Sequence, residues 1–224
     1  MKIKKYIYTY LLIAMSTYAH AEDLDKLIWT CEHYENDGTY CYKAGDAYFA
    51  IHDYGQAKTY YEKSCNRKDF FSWGCIGLGR LYEDTKNYDQ AKIYYEKACN
   101  SQPWGCIELG RLHKENQNYS LAKIYYEKAC NYDPDYGYGC FLLGDLYWYG
   151  NGVKKDYSKG KTLYEKACKL NDGFGCLRLG FIYGVGEHAV EKNMSTSKEY
   201  YCKSCDLGMQ GGCDNCRKLT DKGY

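Results

Sequence analysis

Apolar residues recur along this chain with the period of an α-helix. In the segment 89–100 they fall at i, i+3, i+4, i+7 and i+8, which places them on one helix face; they are Ala91, Tyr94, Tyr95, Ala98 and Cys99. A second type of segment has the same period, as at 74–82, where the shared face holds Cys75, Leu78, Gly79 and Tyr82. We name the first type helix B and the second helix A. Their alternation predicts an all-α protein.

One short phrase ends helix B five times. It reads YYEKSC at 60–65, YYEKAC at 94–99 and at 125–130, LYEKAC at 163–168 and YYCKSC at 200–205. Cysteines at this position recur at intervals of 34, 34, 31, 38 and 37 residues, at Cys31, Cys65, Cys99, Cys130, Cys168 and Cys205. Periods of this length are typical of two-helix repeats. The sequence therefore predicts one solenoid of about six helical hairpins over residues 22–224.

Helix A carries a glycine at the same position in five repeats, namely Gly45, Gly79, Gly110, Gly144 and Gly180. A glycine inside a helix costs on the order of 1 kcal/mol relative to alanine. Its recurrence predicts that a neighbouring helix or a tyrosine ring approaches the backbone closely at this position.

Residues 1–21 have the pattern of a secretory signal peptide. Lys2, Lys4 and Lys5 precede an apolar and aromatic stretch at 6–15, and Ala19 and Ala21 are the small residues that a signal peptidase reads. The apolar stretch is too short to span a bilayer, and no cysteine directly follows Ala21 to take a lipid anchor. We predict a secreted or periplasmic protein without a membrane anchor, cleaved near Ala21.

All fourteen cysteines lie after this segment. An even number of cysteines in an oxidising compartment allows seven disulfides. Removal of Lys2, Lys4 and Lys5 changes the formal net charge from +1 to −2, and lysine and glutamate are interspersed along the repeats. This distribution does not indicate a nucleic-acid partner or an anionic membrane surface. We expect a monomer that uses no cofactor and no metal.

The positions of the cysteines predict how they pair. One cysteine ends a helix B and the next begins a helix A, and an antiparallel hairpin brings two such Cα atoms within the roughly 4.4–6.8 Å that a disulfide needs. The predicted pairs are Cys31–Cys41, Cys65–Cys75, Cys99–Cys106, Cys130–Cys140, Cys168–Cys176 and Cys205–Cys213.

Two cysteines remain, and each lies one helical turn farther from the last hairpin turn. They predict a second bond, Cys202–Cys216. The alternative is a C-x2-C-x7-C-x2-C metal site formed by the four cysteines of this hairpin, with a central gap shorter than in zinc ribbons.

The fourth repeat resembles a known family. The series Gly144-x-x-Tyr147-x-x-Gly150-x-Gly152-Val153-x-x-Asp156-x-x-Lys159, followed by LYEKAC, resembles the Sel-like repeat (SLR). Within that class, the paired cysteines resemble the Helicobacter cysteine-rich family, often labelled β-lactamase-like. The first three repeats depart from the pattern: they lack the Gly-x-Gly-Val loop and are closer to tetratricopeptide length.

This resemblance implies a fold and several activities. The fold is a right-handed α/α superhelical solenoid with a concave face, built here from disulfide-bridged helical hairpins. The activities that it implies are binding of cell-wall fragments or peptides, binding of penicillin, and weak penicillin hydrolysis. The fold alone does not decide among them.

Serine β-lactamases need a serine nucleophile with lysine at i+3 and a Lys-Thr-Gly strand. The chain has Ser-x-x-Lys three times, beginning at Ser120, Ser158 and Ser195, but no Lys-Thr-Gly. All three fall at the start of helix B, where helix capping is the simpler interpretation.

Other catalytic centres have still weaker signals. The histidines after residue 21 are scattered, at His33, His52, His113 and His188, so they do not form the cluster that a zinc lactamase requires. Cys202-x-x-Cys205 resembles a disulfide-exchange motif but lies in a helical repeat rather than a βαβ unit. The sequence identifies no catalytic residue.

Ligand contacts are expected on helix A, which lines the concave face of such a solenoid. The residue after the recurrent glycine gives the candidate binding ladder, Asp46, Arg80, Arg111, Asp145 and Phe181. Arg80 and Arg111 are candidates to grip the carboxylate of a peptide, a muropeptide or a β-lactam; the alternative is a solvated helix face. We interpret the chain as a binding or scaffolding module for peptides, cell-wall fragments or β-lactam-like ligands, with weak β-lactam hydrolysis as the alternative.

Overall fold

The computed structural model describes residues 23–33, 38–67, 73–132, 136–188 and 190–224. The predicted signal peptide at 1–21 lies outside these residues. Every regular element in the described ranges is a helix, which confirms the all-α prediction. None of the described helices combines the length and the apolar character that a bilayer-spanning segment needs.

The two predicted types of helix alternate throughout. The helices of type B are α1, whose described part is 23–33, followed by α3 (Tyr54–Cys65), α5 (Tyr88–Cys99), α7 (Tyr119–Cys130), α9 (Tyr157–Lys169) and α11 (Met194–Asp206). The helices of type A are α2 (Gly38–Ala50), α4 (Trp73–Asp84), α6 (Pro103–Glu115), α8 (Tyr138–Tyr149), α10 (Gly173–Val185) and α12 (Gln210–Asp221).

The chain divides into two compact units, Met1–Ser101 and Gln102–Tyr224. The first contains α1 to α5 and the second α6 to α12, and within each unit consecutive helices pack on one another. The single solenoid over 22–224 remains a prediction.

An aspartate or asparagine begins five of the B helices. The side chain at the N-cap accepts a hydrogen bond from the backbone N–H three residues later, at 2.9 to 3.4 Å. The caps are Asp53, Asn87, Asn118, Asp156 and Asn193. Each such cap contributes about 0.5–2 kcal/mol.

The serines of the three Ser-x-x-Lys motifs are not these caps. Ser120, Ser158 and Ser195 are each the second residue of their helix, two positions after the Asn or Asp that supplies the acceptor oxygen. The capping interpretation was therefore right about the place and wrong about the residue. A residue that already has helical φ and ψ is past the N-cap position, so the preceding Asn or Asp takes that role.

The recurrent glycines of helix A lie against tyrosine rings of the next helix B, as predicted. A Cβ atom added to the glycine would lie 2.3 to 2.8 Å from a ring atom, closer than any side chain can be. The contacts are Gly45–Tyr61, Gly79–Tyr95, Gly110–Tyr126, Gly144–Tyr164 and Gly180–Tyr201. These tyrosines are at most 9% exposed. These five contacts fix how each helix A meets the helix B that follows it.

Disulfide bonds join the ends of the hairpins, with Cα atoms 4.4 to 4.9 Å apart. Six of the expected pairs are present: Cys31–Cys41, Cys65–Cys75, Cys130–Cys140, Cys168–Cys176, Cys205–Cys213 and Cys202–Cys216. Cys99 and Cys106 are also disulfide-bonded, and all fourteen cysteines fall in described ranges, none as a free thiol.

Two consequences follow from these bonds. The four cysteines of the last hairpin are consumed in two disulfides, so the alternative of a thiolate metal site there is wrong. Disulfides in this number are typical of proteins in an oxidising environment, either extracellular or periplasmic.

Candidate functional site

An open cleft of about 790 Å³ lies within the second unit. Six aromatic side chains line it, and we name four of them the aromatic wall: Trp104, Tyr136, Tyr138 and Phe174. The ring centroids are 5.4 Å apart for Trp104 and Tyr136, 6.0 Å for Trp104 and Tyr138, and 5.7 Å for Tyr138 and Phe174. The rings are tilted by 42° to 57°. They form a corrugated apolar surface on which a ligand can rest.

The repeat itself places three of these rings in a row. Trp104, Tyr138 and Phe174 each lie two residues before the cysteine that begins the disulfide-bonded part of helix A, on the first turn of α6, α8 and α10. Asp172 caps α10 by accepting a hydrogen bond of 2.8 Å from the N–H of Gly175, which fixes the turn that carries Phe174. The Asp172 cap and the disulfides of Cys140 and Cys176 hold the first turns of α8 and α10 in place.

Charged side chains lie beside the wall: Glu108, Arg111, Lys114, Glu115 and Asp172. Arg111 donates from Nε to Glu108 at 2.7 Å and from Nη1 to Glu115 at 2.8 Å. Both carboxylates belong to the same helix as Arg111, at i−3 and i+4. The guanidinium is therefore held by two internal partners, which weakens the hypothesis that Arg111 grips a ligand carboxylate.

The electrostatic surroundings of the wall are negative. Burial raises the pKa of Tyr136 and of Tyr138, and the charges of Asp172 and Glu108 raise both further. Asp145 adds a smaller contribution in the same direction at Tyr138. Three carboxylates thus act on the two tyrosine rings.

Two members of the predicted ladder meet at a second cluster in the same unit. The phenol of Tyr164 donates a hydrogen bond of 2.7 Å to Oδ1 of Asp145. The guanidinium of Arg178 lies 5.6 Å from the ring of Tyr164 and 5.9 Å from that of Phe181. Burial raises the pKa of Asp145, against the lowering effects of the Tyr164 hydrogen bond and of Arg178.

The first unit brings the other two ladder residues together. The phenol of Tyr61 donates to Oδ1 of Asp46 at 2.6 Å. The charge of Arg80 acts to lower the pKa of Tyr42 and of Tyr61. Its guanidinium lies 5.7 Å from the ring of Phe49. Burial, followed by the hydrogen bond with Asp46, raises the pKa of Tyr42 to about 12. Asp46 and Arg80 thus belong to one hydrogen-bonded cluster.

Sequence reasoning missed the aromatic wall and Arg178. The ladder was drawn only through the residue five positions after the cysteine of helix A. The position two before that cysteine holds Trp104, Tyr138 and Phe174, and the position two after it holds Arg178 in α10. Counting from the cysteine of helix A, which selected the ladder, would also have selected these two positions. Tyr136 precedes α8 and has no periodic signal.

The Ser-x-x-Lys motifs do not have the environment of a catalytic dyad. Lys161 lies 2.7 Å from Glu165 and Lys123 lies 3.2 Å from Glu127. The hydrogen bonds to these carboxylates raise the pKa of both lysines, whereas a lysine acting as general base needs a lowered pKa. Lys198 donates to the backbone oxygen of Tyr224.

The histidines have separate local partners. His33 stacks on Trp29, His52 is 2.9 Å from the phenol oxygen of Tyr54, and His188 stacks on Tyr157. Within the described ranges, no three His, Cys, Asp or Glu residues are grouped so that they could hold a metal ion.

Two repeat families match different parts of the chain, in agreement with the shorter and longer repeats seen in the sequence. The Sel1 repeat matches residues 137–172 and 173–209. The tetratricopeptide repeat matches residues 38–69, 74–103 and 105–136. No curated protein matches the chain closely enough to count as a relative.

Solved structures show the same fold. A protective antigen of uropathogenic Escherichia coli with an SLR fold is 22% identical with a TM-score of 0.64, and the match covers 90% of this chain and 45% of that one. The chain thus spans less than half the length of that antigen. A Sel1 repeat protein from Oxalobacter formigenes is 17% identical with a TM-score of 0.59, covering 82% and 85%.

The similarity in sequence is greater with a cysteine-rich protein. Helicobacter pylori cysteine rich protein B is 38% identical, with a TM-score of 0.48, over 56% of this chain and 92% of its own. That identity extends over nearly the whole Helicobacter protein, and two Sel1 repeats match the second unit. The chain therefore belongs to the Sel1-like repeat (SLR) proteins.

Proposed function

We propose that this protein is a disulfide-stapled binding module that holds a peptide in the aromatic cleft of its second unit. SLR and tetratricopeptide repeats are scaffolds typical of protein-binding modules. The observation that carries the proposal is the row of rings formed by Trp104, Tyr138 and Phe174, with centroids 6.0 and 5.7 Å apart.

This spacing suits an extended peptide. Side chains at i and i+2 of an extended chain point to the same side and lie about 6.5–7 Å apart. Alternate side chains of a bound peptide can therefore each meet one ring of the row. The volume of about 790 Å³ is in the usual range for clefts that hold small ligands or short peptide segments.

The other ligands expected from the sequence fit this cleft less well. Penicillins and muropeptides carry a carboxylate, but Arg111 is already bound to Glu108 and Glu115, and the lining holds three carboxylates against two cations. Hydrolysis of β-lactams requires an activated nucleophile, and the lysines at i+3 from Ser120 and Ser158 have raised pKa values. We therefore place peptides first among the proposed ligands.

A binding assay with matched variants tests the proposal. The probe is an equimolar mixture of fluorescein-labelled hexapeptides, and the readout is fluorescence anisotropy. Phe174 is 41% exposed, so Phe174→Ala removes a ring of the row with little effect on the core. We expect it to weaken binding by about tenfold, as for an aromatic anchor.

The control is Tyr149→Ala, which removes a ring that is 51% exposed and lies outside the cleft. It should leave affinity unchanged. Equal affinities for wild type and Phe174→Ala, or the absence of binding to any peptide of the mixture, would overturn the proposed function.

A further inference from the structure

We infer that the cleft selects its peptide by a basic side chain, lysine or arginine, whose cation lies against the aromatic wall. This inference rests on the proposed function and adds the chemistry of the bound residue to it. Its basis is the charge that surrounds the rings together with the geometry of the rings themselves.

Carboxylates outnumber cations around the cleft. The lining holds Glu108, Glu115 and Asp172 against Arg111 and Lys114. Arg111 is neutralised by the two glutamates of its own helix, at 2.7 and 2.8 Å. Asp172 is held at the end of α10 by the N–H of Gly175. The net charge of these lining residues is therefore negative.

The charged groups that raise the pKa of Tyr136 and of Tyr138 are carboxylates. They are Asp172 and Glu108 at both rings, with Asp145 as a third at Tyr138. A ligand cation placed on these rings meets three carboxylates within electrostatic reach. A ligand carboxylate at the same place is repelled by all three, so the cleft distinguishes the two signs.

Lys114 is the one lining cation that is not paired with Glu108 or Glu115. It lowers the pKa of Asp145 and therefore compensates part of that charge. With Lys114 counted, the lining still holds three carboxylates against two cations.

The rings have the geometry that a cation needs. A cation binds an aromatic face when it lies within about 6 Å of the centroid, and the attraction grows when several faces meet it. Trp104 stands 5.4 Å from Tyr136 and 6.0 Å from Tyr138, tilted by 57° and 42°. These three rings form a corner, so one ammonium or guanidinium group can contact more than one face.

The chain uses this interaction elsewhere with its own side chains. The ammonium group of Lys159 lies 4.1 Å from the ring centroid of Tyr147, and that of Lys63 lies 4.8 Å from Tyr60. The guanidinium of Arg178 is within 5.9 Å of four rings, Trp148, Tyr149, Tyr164 and Phe181. Contacts between cations and rings are thus a regular element of this fold.

The test uses three fluorescein-labelled alanine pentapeptides that differ only at the central residue, which is lysine, norleucine or glutamate. Norleucine has an unbranched alkyl side chain without the charge. We expect the lysine peptide to bind at least about fivefold more tightly than the norleucine peptide, and the glutamate peptide to bind most weakly. High salt should reduce the difference between lysine and norleucine.

The variant Asp172→Asn tests whether the preference for lysine over norleucine arises in the cleft. Asparagine caps a helix as well as aspartate does, so α10 keeps its N-terminus while one charge is lost. We expect the preference for lysine over norleucine to fall about two- to threefold.

Each outcome has one meaning. Equal affinities for the lysine and norleucine peptides, or binding of the hexapeptide mixture without binding of the lysine peptide, would overturn the inference and leave the proposed function standing. If neither the three peptides nor the mixture binds, it is the proposed function that fails.

Discussion

The backbone of Gly110 lies so close to the ring of Tyr126 that a Cβ atom on the glycine would fall 2.3 Å from Cε1. Tyr126 is only 1% exposed, so other side chains surround most of its ring. A methyl group at position 110 must therefore displace the ring or separate α6 from α7.

We expect Gly110→Ala to lower the free energy of unfolding by about 1–3 kcal/mol, although alanine is the better helix former. Urea denaturation followed by circular dichroism measures this. Gly55→Ala is the control, since the nearest atom to its Cβ would be 3.6 Å away, and it should stabilise by up to about 1 kcal/mol. A Gly110→Ala protein as stable as wild type would contradict the close packing.

The hydrogen bond from Tyr164 to Asp145 gives a second prediction. Tyr164→Phe leaves a half-buried carboxylate without its phenol donor, which we expect to cost about 1–3 kcal/mol near neutral pH. That hydrogen bond lowers the pKa of Asp145, so its removal should raise the pKa further. Carboxyl titration by NMR gives the direction of the shift.

The exposed ring of Tyr149 supplies the comparison for this variant. Tyr149→Phe removes a hydroxyl from a side chain that is 51% exposed and should leave both the stability and the titration of Asp145 unchanged. A pKa of Asp145 that falls in Tyr164→Phe would show that the phenol does not stabilise the carboxylate.

Buried tyrosines predict how the protein responds to alkaline pH. Burial is the main cause of a strongly raised pKa at Tyr61, Tyr126, Tyr136 and Tyr164, and it raises the pKa of Tyr42 to about 12. The folded state therefore keeps these protons while the unfolded state releases them at about pH 10. Their contribution to stability is complete below that pH and is lost as the pH rises through the folded-state values.

Phenolate absorbance and circular dichroism, recorded together, check this expectation. As the pH rises, we expect the buried members of the 29 tyrosines to ionise only together with loss of helix. Ionisation of all tyrosines in one step with the helices intact would be incompatible with the packing described.

The two disulfides of the last hairpin should differ in stability from the single ones. Cys202–Cys216 encloses Cys205–Cys213, so its removal frees little additional chain. We expect Cys202→Ser with Cys216→Ser to cost clearly less than the roughly 3 kcal/mol of an independent bond over a short loop. The matched pair Cys130→Ser with Cys140→Ser should cost the full amount, as measured by thermal unfolding.

Solvent access predicts the order of reduction. Cys202 and Cys216 are partly exposed, whereas Cys130 and Cys140 are 3% and 0% exposed. Mild reductant followed by alkylation and peptide mass mapping should label the cysteines of the last hairpin before Cys130 and Cys140. Earlier labelling of Cys130 would mean that the inner hairpins open more readily than their burial indicates.

Much of the fold was readable because each repeat makes the same contacts. The spacing between Gly110 and Tyr126 recurs in the sequence, and in the structure these two residues are in contact. The cysteines on either side of a turn, such as Cys130 and Cys140, form a disulfide across it. Periodicity fixes which face of a helix is buried, and this decides both features.

The candidate site was less readable, for reasons that differ between residues. The pairing of Arg111 with Glu108 and Glu115 follows from i−3 and i+4 spacing on one helix, but the ladder treated Arg111 as a residue facing a ligand. Tyr136 stands before α8, outside the periodic pattern. Its place on the wall depends on tertiary packing against Trp104, which a local pattern does not contain.

The short reach of the disulfides bears on how the chain is oxidised as it emerges. In the hairpins closed by Cys31–Cys41, Cys65–Cys75, Cys130–Cys140 and Cys168–Cys176, each cysteine pairs with the next one along the chain. An oxidase that joins cysteines in order of appearance makes these bonds correctly. The last hairpin is different, because Cys202 must bypass Cys205 and Cys213 to reach Cys216. Oxidation in order of appearance would join the wrong cysteines in this hairpin. We therefore expect only about the last thirty residues of the protein to need a disulfide isomerase.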